Sequence, residues 1–213
     1  MRRTLADWDQ ILPEKQYSFE EPDDFVADFA KSTLKENRTE ALDLACGAGR
    51  HVIYMAEHGF KVTGADVSGA GLQMTKERLR KRGLRAILVK SSMNHLPYVD
   101  SCFDAVVCTR AIYHQKVAGI KETITEIRRV LREGGVILVD FLSERTYSYG
   151  KGIKTEEGTF VETDGVERGV THHFAGKEEI ERLFHSFEIL SIILHEADVD
   201  GELRSRWVIK AIK

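Results

Sequence analysis

Short apolar runs and longer amphipathic stretches alternate along most of this chain, with glycine or polar loops between them. Residues 41–45, 61–66, 86–89, 103–108 and 136–141 are brief runs rich in Val, Ile, Leu and Ala, the pattern of strands covered on both faces. Residues 50–58, 70–82 and 116–132 carry apolar positions at helical spacing. In the last of these Val117, Ile120, Ile124, Ile127, Val130 and Leu131 fall on one stripe. Gly59, Gly83 and the Gly134-Gly135 pair close these three helices. An earlier helix opens at Glu21-Pro22-Asp23-Asp24, where proline and acids suit a first turn, and carries Phe25, Val26, Phe29 and Leu34 to about Lys35. Residues 1–20 show no period and read as irregular.

The order β-α-β-α-β-β-α-β predicts a parallel sheet with helices on both faces. Beyond residue 142 the pattern changes. Residues 158–163 and 166–174 flank Asp164-Gly165 and read as a hairpin with a D-G turn. Residues 178–185 are helical, and 187–199 and 203–212 form long strands joined across Asp200-Gly201. The expected fold is α/β: a Rossmann-like, doubly wound, seven-stranded sheet, mostly parallel with an antiparallel C-terminal hairpin strand. A small β-hairpin is inserted after strand five. One domain is expected over residues 1–213, made of an N-terminal segment and helix (1–37), a binding core (38–142), a hairpin insertion or lid (143–175) and a C-terminal helix and hairpin (176–213).

Composition narrows the chemistry. A chain of 213 residues, 42% hydrophobic and 31% charged, with net charge −3, is an ordinary soluble globular protein. It has no basic excess for nucleic acid or an anionic membrane. No run approaches the roughly 18 apolar residues of a membrane helix, and Arg2-Arg3 lack the apolar stretch of a signal peptide. Cys46, Cys102 and Cys108 offer neither a disulfide framework nor zinc spacing. These features point to a cytoplasmic protein with reduced thiols, no metal, no nucleic-acid or membrane partner, and a monomeric or homodimeric state.

The richest stretch is Leu42-Asp43-Leu44-Ala45-Cys46-Gly47-Ala48-Gly49-Arg50, a buried strand entering a helix through two glycines one residue apart. Such a turn lets a ligand approach bare backbone at a helix N-terminus. Asp66 closes the second strand 19 residues after Gly47, close to the spacing of about 20 at which a carboxylate takes ribose hydroxyls. Asp66 followed by Val67-Ser68 also suits a helix N-cap, and both roles are compatible.

Four strings in order carry a family resemblance. They are the glycine motif above, Val62-Thr63-Gly64-Ala65-Asp66-Val67-Ser68, Leu96-Pro97-Tyr98 with Ser101-Cys102-Phe103-Asp104-Ala105-Val106, and Glu126-Ile127-Arg128-Arg129-Val130-Leu131-Arg132-Glu133-Gly134-Gly135. Together they resemble class I S-adenosylmethionine-dependent methyltransferases of the small-molecule type 11/25 kind. The resemblance implies S-adenosyl-L-methionine as the cofactor. Gly47 and Gly49 would admit its methionine and ribose parts beside Ala45. Asp43 would face the ammonium through water, Asp66 and Val67 would hold the ribose side, and Ser92, Met93 and Asn94 would flank adenine. Ser92 departs from the family's usual aspartate, and Glu133 stands where the family often has proline.

Methyl transfer needs alignment and water exclusion, and a base only when the acceptor must lose a proton. Thr109-Arg110-Ala111-Ile112-Tyr113-His114 lies at the end of strand four, which makes Tyr113 and His114 acceptor-site candidates and Thr109 a cofactor contact. Adjacent His172 and His173 point to opposite faces of a strand, so at most one faces the site, and His173 is taken as that one. Trp8 and Tyr17 are candidates to close over the cofactor. Cys46 follows a buried strand and is no nucleophile. The expected function is methyl transfer to an unidentified small-molecule acceptor. The alternatives are a non-catalytic S-adenosylmethionine-binding protein and an NAD-dependent oxidoreductase. The latter is disfavoured because Val52 stands where a dinucleotide motif has its third glycine.

Overall fold

The computed structural model describes residues 7–14 and 19–213. Seven strands form the main wall: β1 (Glu40–Leu44), β2 (Lys61–Asp66), β3 (Ile87–Lys90), β4 (Phe103–Cys108), β5 (Leu131–Ser143), β9 (Glu188–Val199) and β10 (Glu202–Ile212). Their spatial order is β3-β2-β1-β4-β5-β10-β9, parallel as far as β5 and antiparallel from β5 to β10 and from β10 to β9. The strand order reverses between β1 and β4, and the ends of these two strands open a crevice.

Strand alternation builds a core on each face. Leu42, Leu44, Val106 and Ile137 pack with Ile120, Ile124 and Ile127 of α5 (Val117–Val130) and Ile180 of α6 (Lys177–Leu183). Ala41, Val107 and Leu138 face the other way. They meet Phe29 of α2 (Asp24–Lys35), Val52 of α3 (Arg50–Glu57) and Leu79 of α4 (Gly69–Arg82). The predicted α/β wall with helices on both faces is therefore present. The turn from β9 to β10 uses Asp200 (φ 56°) and Gly201 (φ 81°), two left-handed residues that suit a tight hairpin.

Three regions differ from the sequence reading. Within the stretch read as irregular, α1 (Trp8–Ile11) is helical, with Asp7 capping the Asp9 N–H at 3.1 Å. Four residues are too few to show a period. Strand β5 begins at Leu131 and runs through Gly134-Gly135, where its register against β4 shifts. The insertion has three strands: β6 (Ile153–Glu156), β7 (Thr159–Val161) and β8 (Thr171–Ala175).

In that insertion β7 pairs antiparallel with both β6 and β8, and β8 joins β5 through Leu142–Phe174 and Ser143–Ala175. Asp164-Gly165 therefore lies inside a wider loop, whose neck is closed by the Gly169 N–H to the Glu162 carbonyl (2.8 Å) and the Glu162 N–H to the Val170 carbonyl (2.9 Å). Val166 is 43% exposed, so its apolar character marks no buried strand. No helix among the described residues is long and apolar enough to cross a membrane.

Candidate functional site

The chain turns after β1 through Ala45 (φ 59°), Gly47 (φ 53°) and Gly49 (φ 80°), all left-handed. Asp66, at the end of β2, fixes this turn: its Oδ2 accepts the Gly47 N–H and its Oδ1 the Ser68 N–H, each at 2.7 Å. Behind the turn the Thr75 hydroxyl donates to the Gly47 carbonyl at 2.9 Å. A Cβ on Gly49 would collide with the Thr75 side chain. Gly49→Ala is therefore expected to lower unfolding free energy by about 2 kcal/mol, from left-handed strain and this overlap, as read by urea denaturation.

Buried charge surrounds the turn. Asp43 is 2% exposed and its Oδ2 has no hydrogen-bond partner among the described residues. Burial pushes its carboxyl up to about 8, against the pull of the Arg50 guanidinium and with a push from Asp66. At the start of α2, Asp23 takes both terminal nitrogens of Arg50 and Nη2 of Arg110, the latter at 2.9 Å. Burial raises the Asp23 carboxyl, but the His51 contact and the two guanidinium groups hold it well below the usual carboxylate range. The Phe19 ring lies 5.5 Å from the Arg50 guanidinium and 5.3 Å from that of Arg110.

On β5, fully buried Asp140 accepts the Arg110 N–H and a terminal Arg206 N–H, each at 2.6 Å. Arg110 itself is left-handed (φ 55°). The result is a chain Arg50–Asp23–Arg110–Asp140–Arg206, in which ion pairs join Arg50 and Arg110 to Asp23 and Arg206 to Asp140, and the Arg110 backbone N–H links the two groups.

These elements wall a crevice of about 1020 Å³. Of the sequence candidates, Trp8, Ala45, Gly47, Gly49, Thr109, Tyr113 and His114 line it, together with Arg206, Tyr147, Glu167 and His172. The Thr109 hydroxyl is 3.4 Å from Nδ1 of His51. The Tyr113 hydroxyl is raised above its ordinary pKa by burial. Burial lowers His114 to about 3, so its ring is neutral, and its buried Nδ1 has no partner among the described residues. The His114 ring meets those of Trp8 and His172, each at a centroid distance of 4.9 Å.

The remaining candidates lie elsewhere. His173 faces away from the crevice, and this corrects the expected orientation. It is fully buried, with Nδ1 2.8 Å from the Thr159 hydroxyl and Nε2 3.3 Å from Glu179. Strand alternation gives the crevice to His172 instead. Tyr17 lies outside the described residues. Val67 is 43% exposed beside Asp66.

Ser92 receives the Asn94 N–H at 3.2 Å, while the Asn94 amide donates to the Gly119 carbonyl and the Thr123 hydroxyl at the start of α5. The Met93 sulfur accepts from Gln115. Val67, Ser92, Met93 and Asn94 are not part of the crevice wall. Helix α1 lies over that end: Asp9 accepts the Ser68 hydroxyl (2.7 Å) and the Ala70 N–H (2.9 Å), and the Leu12 side chain sits against Gly47 and Gly71.

Sequence reasoning passed over Asp23, Arg50, Asp140, Glu167 and Arg206. Asp140 left a trace, a carboxylate inside the apolar run of β5, which a strand covered on both faces tolerates only with partners.

Comparison with known proteins adds an independent line. Residues 41–135 match the family profile described as "Methyltransferase domain". The YqeM protein of Bacillus subtilis is 31% identical over 141 residues, and methyltransferase GfsG of Streptomyces halstedii is 32% identical over 103. These alignments cover 65% and 47% of this chain, and 55% and 36% of the relatives, so the chain spans about half of the first relative and about a third of the second. A solved S-adenosylmethionine-dependent methyltransferase from Methanosarcina mazei superposes with a TM-score of 0.72, over 84% of this chain and 96% of that one, at 24% identity. At that identity the superposition speaks for the fold alone.

Proposed function

We propose that this chain, whose residues 41–135 match the methyltransferase-domain family profile, is a class I S-adenosylmethionine-dependent methyltransferase that transfers a methyl group to a small-molecule acceptor. The acceptor would sit in the crevice between the strand ends and the Glu162, Glu167 and His172 side of the insertion. The observation that carries the reading is the carboxylate of β2 gripping the glycine turn of β1, with the orphaned Asp43 oxygen behind it. The residues present fit the methyl donor. Asp66 holds two backbone N–H groups and keeps lone pairs for ribose hydroxyls. Asp43 has an unpartnered buried oxygen suited to an ammonium group. Arg50, at the first position of α3 and half-buried, suits a carboxylate. Exposed Val67 offers adenine an apolar surface.

When bound, S-adenosylmethionine supplies a methyl group already activated on a sulfonium sulfur. The chain's task is then to align the acceptor and keep water out. His172 of β8, the strand tied to β5, and Glu162 and Glu167 of the loop before it contribute to the crevice wall. Within the proposed division of the chain, 38–142 is the cofactor core and 143–175 the acceptor-side cover.

Calorimetric titration with S-adenosylmethionine and S-adenosylhomocysteine tests the reading. Micromolar binding of both is the expected result, and binding of neither would overturn it. The raised Asp43 carboxyl adds a pH signature. Docking an ammonium favours ionised Asp43, so binding draws a proton off the protein, and affinity should rise with pH up to about 8. Between pH 7 and 8 the gain is roughly fivefold. Asp43→Asn should bind more weakly and lose this dependence. The sign for stability is the reverse: a raised carboxyl contributes stability that is present below the unfolded value of 3.8 and lost as pH climbs toward about 8.

A further inference from the structure

A methyl acceptor whose nucleophilic atom carries hydrogen must lose that proton during transfer, and a group in the crevice has to receive it. Most titratable groups on the crevice wall are unsuited. Tyr113 is buried and holds its proton more tightly than an ordinary tyrosine. His114 is held neutral by burial and is too weak a base. Glu196 is committed to Arg145 and the Ser205 hydroxyl, and Glu162 accepts from the Thr163 and Asp164 backbone. Arg110, Arg204 and Arg206 are donors only and offer no lone pair to a proton. His195 lies out on β9, its ring 5.6 Å from that of Phe25.

His172 is different. It stands on β8 facing the crevice, 13% exposed at its side chain, with Nε2 3.0 Å from Oε2 of Glu167. Its Nδ1 makes no hydrogen bond to a described residue. A carboxylate on one imidazole nitrogen fixes that nitrogen as the protonated one and leaves the lone pair on the other. The ring row Trp8–His114–His172 then runs from α1, beside the glycine turn, to this pair.

We propose that His172, oriented by Glu167, is the general base of the reaction. The acceptor therefore reacts through a hydroxyl, thiol or N–H group and not through a tertiary amine or thioether. The proposal rests on the methyl-transfer reading of the same crevice. In the step, the acceptor's X–H proton passes to Nδ1 of His172 and the freed lone pair on X forms the bond to the methyl carbon. The carbon–sulfur bond breaks, leaving its electron pair on sulfur as a neutral thioether. His172 becomes an imidazolium held by the Glu167 carboxylate until water takes the proton. The unpartnered Nδ1 of His114, one ring away, is placed to hold a polar group of the acceptor.

No acceptor is needed for the test, because the two forms of the cofactor differ by one charge. S-adenosylmethionine carries a sulfonium cation and S-adenosylhomocysteine does not. A base placed at the reacting centre feels that charge, which disfavours imidazolium. Protein labelled with 13C and 15N on histidine is saturated with each ligand, saturation being checked by calorimetry. The His172 ring is assigned through its own side-chain correlations and its protonated fraction read by NMR at pH 6.5. The expected fraction is roughly twofold lower with S-adenosylmethionine than with S-adenosylhomocysteine, with the 15N pattern of an Nε2–H tautomer for the neutral ring. Glu167→Ala, which leaves no acceptor on Nε2, should bind both ligands as the wild type does and lose that tautomer preference. Equal protonation in the two complexes would place His172 away from the sulfur and overturn the proposal while leaving the methyl-transfer reading intact. Calorimetric binding of neither ligand would instead overturn that reading, and this proposal with it.

Discussion

Replacing Asp66 by alanine is expected to weaken S-adenosylmethionine binding roughly a hundredfold, the loss of two hydrogen bonds to a charged, buried acceptor at about 1.5 kcal/mol each. Burial raises the Asp66 carboxyl above its ordinary value, while the Ser68 and Gly47 N–H groups oppose that rise by bonding the ionised form. Alanine removes the proposed ribose acceptor and also frees the Gly47 N–H that holds the glycine turn, so affinity should fall through both contact and disorder. Asparagine is no gentler. Each Asp66 oxygen accepts from a backbone N–H, and an amide would present a donor to one of them. Calorimetry with S-adenosylmethionine measures the effect. A change of less than threefold would mean that Asp66 serves the turn alone.

The parts of the molecule legible in the sequence are those in which local pattern and tertiary role coincide. The strands at Asp43 and Val106 are continuous apolar runs because both faces are covered, and Gly83 and Gly201 stand where left-handed backbone is required. The chain between Glu162 and Val170 was misread because the D-G pair signals a tight turn only when the flanking residues pair directly. Here the pairing resumes at Thr171, and the residues between close their own loop. With β7 in register against β8, His172 lies opposite Phe160 and His173 opposite Thr159, whose hydroxyl takes the His173 ring. The Arg50–Asp23–Arg110–Asp140–Arg206 chain was hidden for another reason. Its members are spread from α2 to β10, and no spacing rule links Asp23 to Arg110 or Asp140 to Arg206.

The same chain sets the largest stability effect in the molecule. Asp140→Ala is expected to lower unfolding free energy by about 3–5 kcal/mol, as for other buried pairs broken on one side. Asp140 is fully buried and supplies the one ion pair of Arg206 among the described residues, so alanine strands a guanidinium group that is 19% exposed at its side chain. The Arg110 N–H, in a left-handed residue that already carries strain, loses its acceptor as well. Such a loss is a large share of the roughly 5–15 kcal/mol that holds a domain together. Urea denaturation should show it as a lower midpoint with an unchanged slope. Asp140→Asn keeps one carbonyl for Arg110 and should cost less. Pairing Asp140→Leu with Arg206→Met should recover most of the stability, because it removes both charges and leaves only the Arg110 N–H without its acceptor. If the double variant is as stable as the wild type yet turns over no acceptor, the Arg206 guanidinium group of β10 belongs to the reaction and not to the fold. If it is stable and active, the ion pair is a structural brace. A double variant as unstable as Asp140→Ala would show that the Arg110 N–H bond, and not the charge pair, carries the energy.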